Sequence, residues 1–144
     1  MLLLIVSLFV SGASASSYAT IEQMHNLPHG ILEALCKVES NHRPHVVNPR
    51  DGKDGQDSLG ECQIKEATAR HMGFKGTRKQ LFNRDVNRYY AGKYLAYQIN
   101  RCTLKSMACG SVLKGITAYN KGHFKGTIVT EYVRKVLAAL DWGE

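Results

Sequence analysis

Ligand patterns for a metal are missing from this chain. The four cysteines, Cys36, Cys62, Cys102 and Cys109, do not have zinc spacing. His25 and His29 are four residues apart, but Pro28 between them argues against one continuous helix presenting both, and His42 and His45 fall in a proline-containing loop. Asp51, Asp54 and Asp57 recur every third residue, whereas a helix-loop-helix calcium site needs oxygen ligands at alternate positions and a closing Glu. No metal and no other cofactor is therefore expected. Interleaved aromatic and basic residues are also lacking, which argues against a stacking platform for nucleic acid. The sequence has no internal repeat, no low-complexity tract and no linker. Its only long apolar run, MLLLIVSLFV at the start, is too short to span a bilayer as a helix.

That run leads into Ala13-Ser14-Ala15, a small-x-small site of the kind signal peptidase cleaves, so residues 1–15 read as an export signal. The usual Lys or Arg near its start is absent, which keeps an uncleaved anchor in view. The remaining segment, 16–144, is one compact domain by length. None of the first 15 residues is charged, so the formal net charge of +7 belongs entirely to this domain. A basic exported domain favours anionic partners outside the cytoplasm, such as a cell wall carrying carboxylates, and a periplasmic or secreted location follows. Export also places the cysteines where disulfides form. Three pairings are open. Cys102 and Cys109 flank a short polar segment and suit a local clip, while Cys36 and Cys62 either pair or remain small buried hydrophobes.

Little of the chain alternates with period two, so an all-α domain is expected. The first helix starts near Pro28 and carries Ile31, Leu32, Leu35 and Val38 as one apolar stripe. The stretch from His45 to Ser58, rich in Gly, Asp and Asn, reads as an exposed loop at the rim of a cleft. Further helices are expected from about Gln63 to Met72, from Asn83–Asp85 through Ile99, from Val112 to Tyr119, and around Val129 to Leu140. Gly73 suits the left-handed turn after the second of these.

Glu39 lies one turn beyond Leu35 and two beyond Leu32, at the edge of the buried face and at the carboxyl end of its helix. Burial and the negative end of the helix dipole both disfavour its charged form. A carboxylic acid held protonated near neutral pH is what cleavage of a glycosidic bond requires of its proton donor. On position alone, a solvated Glu at a helix end is the more common situation.

The surrounding blocks lift it above that reading. ALCKVESNHRP resembles the Glu-Ser motif of the soluble lytic transglycosylase family, and DSLGECQIKEATA resembles its S-x-G-x-x-Q-I block. LFNRDVNRYYAGKYL resembles its Leu-Phe-(Asn/Asp) helix, AYNKG its A-Y-N-x-G block and YVRKVL its closing Y-V-x-x-V segment. The five blocks occur in order and cover Leu27 to Leu137. The resemblance implies a lysozyme-like helical domain, within the α+β lysozyme superfamily, with a cleft for alternating N-acetylglucosamine and N-acetylmuramic acid. It carries the acid/base role to Glu39 and a neighbouring hydrogen-bonding role to Ser40. Ser58, Gly60, Gln63 and Ile64 match the block lining the cleft. Tyr119 and Asn120 match the pair that contacts the acid and the substrate's N-acetyl group, and Tyr132 matches a further cleft tyrosine. Glu61-Cys62 stands where many relatives have Leu-Met, which puts an extra carboxylate close to the groove, and Lys121 replaces a commonly small residue.

Most glycosidases use two carboxylates. The matched motifs supply one, since Glu33 points to a different face of the helix. The resemblance therefore implies substrate assistance, in which the muramic acid closes a 1,6-anhydro ring. Two other functions compete with it. One is a goose-type lysozyme-like hydrolase using Asp51, Asp54, Asp57 or Glu61 to activate water; the other is a non-catalytic wall-binding module. The expected partner is the peptidoglycan glycan strand, in the service of a secretion or conjugation apparatus or of a phage particle. No oligomer seam is visible, and a monomer is expected.

Overall fold

A computed structural model of the protein describes residues 17–101, 110–122 and 130–140. The expected signal at 1–15 and the expected Cys102–Cys109 clip lie outside these residues. Six α-helices and a small antiparallel sheet make up the described chain.

Helix α1, Tyr18–Met24, opens on Ser17, whose hydroxyl accepts the Thr20 amide. Helix α2, Ile31–Ser40, begins three residues later than Pro28 suggested. Gly30 holds a left-handed φ of 79°, which ends the preceding turn. Buried Glu22 of α1 then caps the new helix, accepting the Gly30 and Leu32 amides at 2.8 Å each. An anionic cap here satisfies amides with no intrahelical partner and suits the positive end of the helix. The expected stripe is largely confirmed, with Ile31, Leu32 and Leu35 buried in the main core and Val38 packed against it. Asn41, at φ 54°, ends the helix just past Glu39 and Ser40.

The segment read as a loop instead forms strands. Val47–Asp51 is β1 and Gln56–Leu59 is β2, and with β3 at Ile64–Lys65 they make an antiparallel sheet in the order β1-β2-β3. Period-two apolar patterning is absent because β1 buries no residue fully. Polar ties replace it: the Ser58 hydroxyl donates to Asp51 at 2.6 Å, and Lys65 donates to the Asp51 carbonyl at 2.5 Å and the Asp54 carboxylate at 2.8 Å. The helix expected from Gln63 is shorter, α3 at Glu66–His71, because Gln63 takes a left-handed φ of 53° and the next two residues pair as β3.

A 3-10 helix at Arg78–Phe82 leads into α4, Arg84–Asn100, capped by the Asn83 side chain. Helix α5 is Val112–Lys121 and α6 is Glu131–Ala139, capped by Ser111 and Thr130. Helix α4 is the central element, packed against α1, α2, α3, α5, the 3-10 helix and β3. The apolar residues divide into two cores. One gathers α1, α2, α4, α5 and α6; the other holds Leu59, Ile64, Ala69, Phe74 and Leu81 beneath the sheet. Tyr94 of α4 packs against both. The cleft opens beside this boundary. No helix among the described residues is long and apolar enough to cross a membrane.

Candidate active site

The turn between β2 and β3, Gly60-Glu61-Cys62-Gln63, ties most of the site together. Gly60 has a φ of 75°, and a Cβ there would stand 2.4 Å from Asn87 Nδ2 and 2.9 Å from the Leu81 carbonyl oxygen. Only glycine fits. Asn87, fully buried on α4, donates to the Leu59 and Leu81 carbonyls and accepts the Cys62 amide at 2.8 Å. Cys62 forms a disulfide with Cys36 of α2. Its carbonyl accepts the Tyr119 hydroxyl of α5 at 2.8 Å. The Gln63 amide donates to the Gly60 carbonyl at 2.8 Å and to the Val46 carbonyl at 3.1 Å, which fixes the side chain beneath the hairpin.

Glu61 is completely buried. Arg84, Arg88 and the Tyr18 hydroxyl all donate to its carboxylate, at 2.8, 2.9 and 2.6 Å, and the Arg88 guanidinium lies 4.1 Å from the centre of the Tyr18 ring. Burial pushes the Glu61 carboxyl up, but the bonds from Arg88 and Tyr18 outweigh it and hold the group below its ordinary value. This carboxylate, expected near the groove, is thus a structural anion. Its backbone carbonyl accepts the Ser40 hydroxyl at 2.6 Å, which anchors the end of α2 to the turn.

Glu39 enters a cavity of about 650 Å³ whose wall it shares with Ser58, Gln63 and Ile64 from the sheet and Tyr119 and Asn120 from α5. The Tyr132 hydroxyl of α6 donates to Glu39 Oε1. Burial raises the Glu39 carboxyl to about 7; the Tyr132 bond opposes that shift and the negative charge of Asp51 adds to it. The group is thereby poised between donor and acceptor at neutral pH. Desolvation and the negative charge of Glu39 raise the Tyr132 hydroxyl, so it remains a proton-bearing donor.

Most of the residues expected for the site meet here. Glu39, Ser58, Gln63, Ile64, Tyr119 and Asn120 line the cavity. Tyr132, expected only as a further cleft tyrosine, is the residue that holds the acid, while the Tyr119 hydroxyl bonds to the Cys62 carbonyl. Ser40 and Gly60 sit behind the wall and shape it. Tyr94, Thr68 and Lys65, not expected from the sequence, also line the cavity. The Tyr-Leu that ends the matched α4 block was a signal for Tyr94. Of the four loop carboxylates considered as water activators, Glu61 is consumed by its arginines, Asp57 pairs with Arg78 at 2.6 Å, and Asp54 pairs with Lys65 at 2.8 Å. Asp51 alone faces the cavity without an ion-pair partner among the described residues. Among those residues, no group of His, Cys, Asp and Glu converges as a metal site would require.

The Transglycosylase SLT domain family matches residues 16–138. No curated protein matches the chain. Among solved structures, the 70 kDa soluble lytic transglycosylase from Escherichia coli is similar, with a TM-score of 0.60 and 21% identity over 85% of this chain and 18% of that one. An inactive mutant of the lytic transglycosylase Slt from Pseudomonas aeruginosa gives a TM-score of 0.64 with 18% identity, over 88% of this chain and 22% of that one. These likenesses establish a common fold, and the chain spans only about a fifth of the length of either enzyme.

Proposed function

Since the chain belongs to the transglycosylase SLT domain family, we propose that it is an exported lytic transglycosylase that cuts peptidoglycan between N-acetylmuramic acid and N-acetylglucosamine, with Glu39 as its single general acid and base. One observation carries this reading: a half-buried carboxyl raised to about 7 stands in the wall of a sugar-sized cavity and accepts a hydrogen bond from Tyr132. A non-catalytic binder has no use for such a group. The Pseudomonas relative supports the choice of residue, because the change that makes it inactive replaces a glutamate by glutamine.

In the proposed reaction, protonated Glu39 donates to the glycosidic oxygen and the bond to the anomeric carbon breaks. The muramic acid's own N-acetyl oxygen stabilises that carbon. As Glu39 becomes a carboxylate, the Tyr132 hydroxyl stabilises the new charge, which is when a fixed donor matters most. The carboxylate then takes the proton from the 6-hydroxyl of the same sugar, whose oxygen attacks the anomeric carbon and closes a 1,6-anhydro ring. Glu39 ends protonated, and no water is consumed. Asn120 and Tyr119, from the neighbouring wall, are assigned to orienting the N-acetyl group.

Hydrolysis is favoured by one observation: Asp51 faces the same cavity and is close enough to perturb Glu39. Mass spectrometry of digested cell wall separates the two reactions. Anhydro ends support the transglycosylase, and reducing ends assign the hydrolase, with Asp51 activating water. In a turbidity assay on cell walls, equal clearing by the native chain and by Glu39→Gln removes Glu39 from catalysis.

A further inference from the structure

The cavity carries charge that the proposed reaction does not use. Lys53 joins its lining from the β1–β2 turn and Lys121 from the last residue of α5. Lys65, the third lysine in the lining, is occupied by the Asp54 carboxylate and the Asp51 carbonyl. Among the described residues no carboxylate stands within ion-pair distance of Lys53 or Lys121, and both are exposed. With Asp54 cancelled by Lys65 and Glu39 protonated, Asp51 is the sole remaining anion against these two cations, and it already accepts the Ser58 hydroxyl. The mouth of the cavity is therefore net positive when the acid is ready to react. Two ammonium groups lining one cavity, from two separate elements, suit an anion shared between them, and a lysine bearing three donors on a flexible stem adapts to a carboxylate of variable position.

Resting on the function proposed above, we infer that Lys53 and Lys121 together form a clamp for a carboxylate carried by the glycan strand. A bare strand of N-acetylglucosamine has no such group. A muramic acid strand offers one from either of two sources: the stem peptide, or the lactyl group where the peptide has been removed. The clamp would select strands by this charge and draw the adjoining sugars toward Glu39.

The test measures binding by calorimetry in the Glu39→Gln background, with and without Lys53→Gln and Lys121→Gln together. Three probes of equal length are compared: peptide-bearing glycan strands, amidase-stripped strands and chito-oligosaccharide. Two exposed ion pairs correspond to about a three- to tenfold fall in the affinity ratio of carboxylated strand to chito-oligosaccharide. Raising the salt concentration shrinks that difference. A fall greatest for peptide-bearing strands names the stem peptide as the source, and one greatest for stripped strands names the lactyl group. An unchanged ratio overturns the clamp. If the ratio is unchanged while the native chain still clears cell walls, only the clamp fails. Absence of both strand binding and clearing rejects the proposed function as well.

Discussion

Replacing Glu39 by Gln gives a pH-dependent stability signature that needs no substrate. The Glu39 carboxyl titrates at about 7 in the folded protein against an ordinary 4.5, because folding takes it out of water beside Asp51. Folding therefore favours the protonated form. That contribution is fully present below pH 4.5 and is lost progressively as the pH rises to 7, beyond which the folded protein carries a buried charge at constant cost. A gap of about 2.5 pH units corresponds to about 3.4 kcal/mol at most, of which about 0.8 kcal/mol is already expressed at pH 5. Gln keeps the shape of the protonated acid, can accept the Tyr132 hydroxyl, and does not ionise. The stability advantage of Glu39→Gln should therefore widen by about 2.5 kcal/mol between pH 5 and pH 9. For a domain of this size, at roughly 3–5 °C per kcal/mol, that is a relative rise in melting temperature of about 10 °C, read by differential scanning calorimetry. The same melting difference at both pH values would mean that the carboxyl titrates as if in water, and the acid/base assignment would lose its physical basis.

Four further outcomes follow from the same geometry. The alkaline limb of kcat/KM should fall above about pH 7, and Asp51→Asn should move it to lower pH, since removing that charge eases the ionisation of Glu39; an unmoved limb in the pH–rate profile contradicts the coupling. Tyr132→Phe should move the limb the other way and lower kcat by roughly 10²-fold, because it removes the donor that stabilises the ionised acid; steady-state kinetics across pH would read both effects. Gly60→Ala should destabilise by at least about 2 kcal/mol in urea unfolding, given the left-handed backbone and the contacts at 2.4 and 2.9 Å. Replacing Cys36 and Cys62 together by Ala should cost about 3 kcal/mol for a closed loop with a sequence separation of 26, and a urea midpoint equal to that of the native chain would contradict it.

Helices α2 and α6 were legible because each buries an apolar stripe that repeats every three to four residues. Ile31, Leu32 and Leu35 marked α2 and placed Glu39 at its edge, and Val133 and Val136 marked α6. The sheet was not legible, since its outer strand is exposed and rests on polar ties such as Ser58 to Asp51 instead of on alternating apolar residues. Helix α1 was missed for a related reason: seven residues bury little, and the most consequential of them is polar. Glu22 looks like a surface residue until Gly30 and Leu32 present their amides to it. The site divided in the same way. Residues in contiguous motifs were found, whereas the bond from Tyr132 to Glu39 joins residues 93 positions apart, and local pattern alone does not reveal it.

Glu61 and Cys62, which the resemblance set apart from the common Leu-Met, show why such a pair must be read with its partners. Taken alone, Glu61 suggests an extra acid at the groove. In the folded chain it is wholly buried under Arg84, Arg88 and Tyr18, and Cys62 is joined to Cys36. Each unusual residue is matched by another elsewhere in the chain. A buried carboxylate without its arginines is expensive, commonly about 3–5 kcal/mol when one partner is removed. Arg88, itself largely buried, stacks on the Tyr18 ring beside it. Glu61, Arg88 and Tyr18 therefore form one unit. What this unit secures is the position of the turn whose carbonyls hold Ser40 and Tyr119. The acid at Glu39 is thus aimed by a charge that never reaches the cleft.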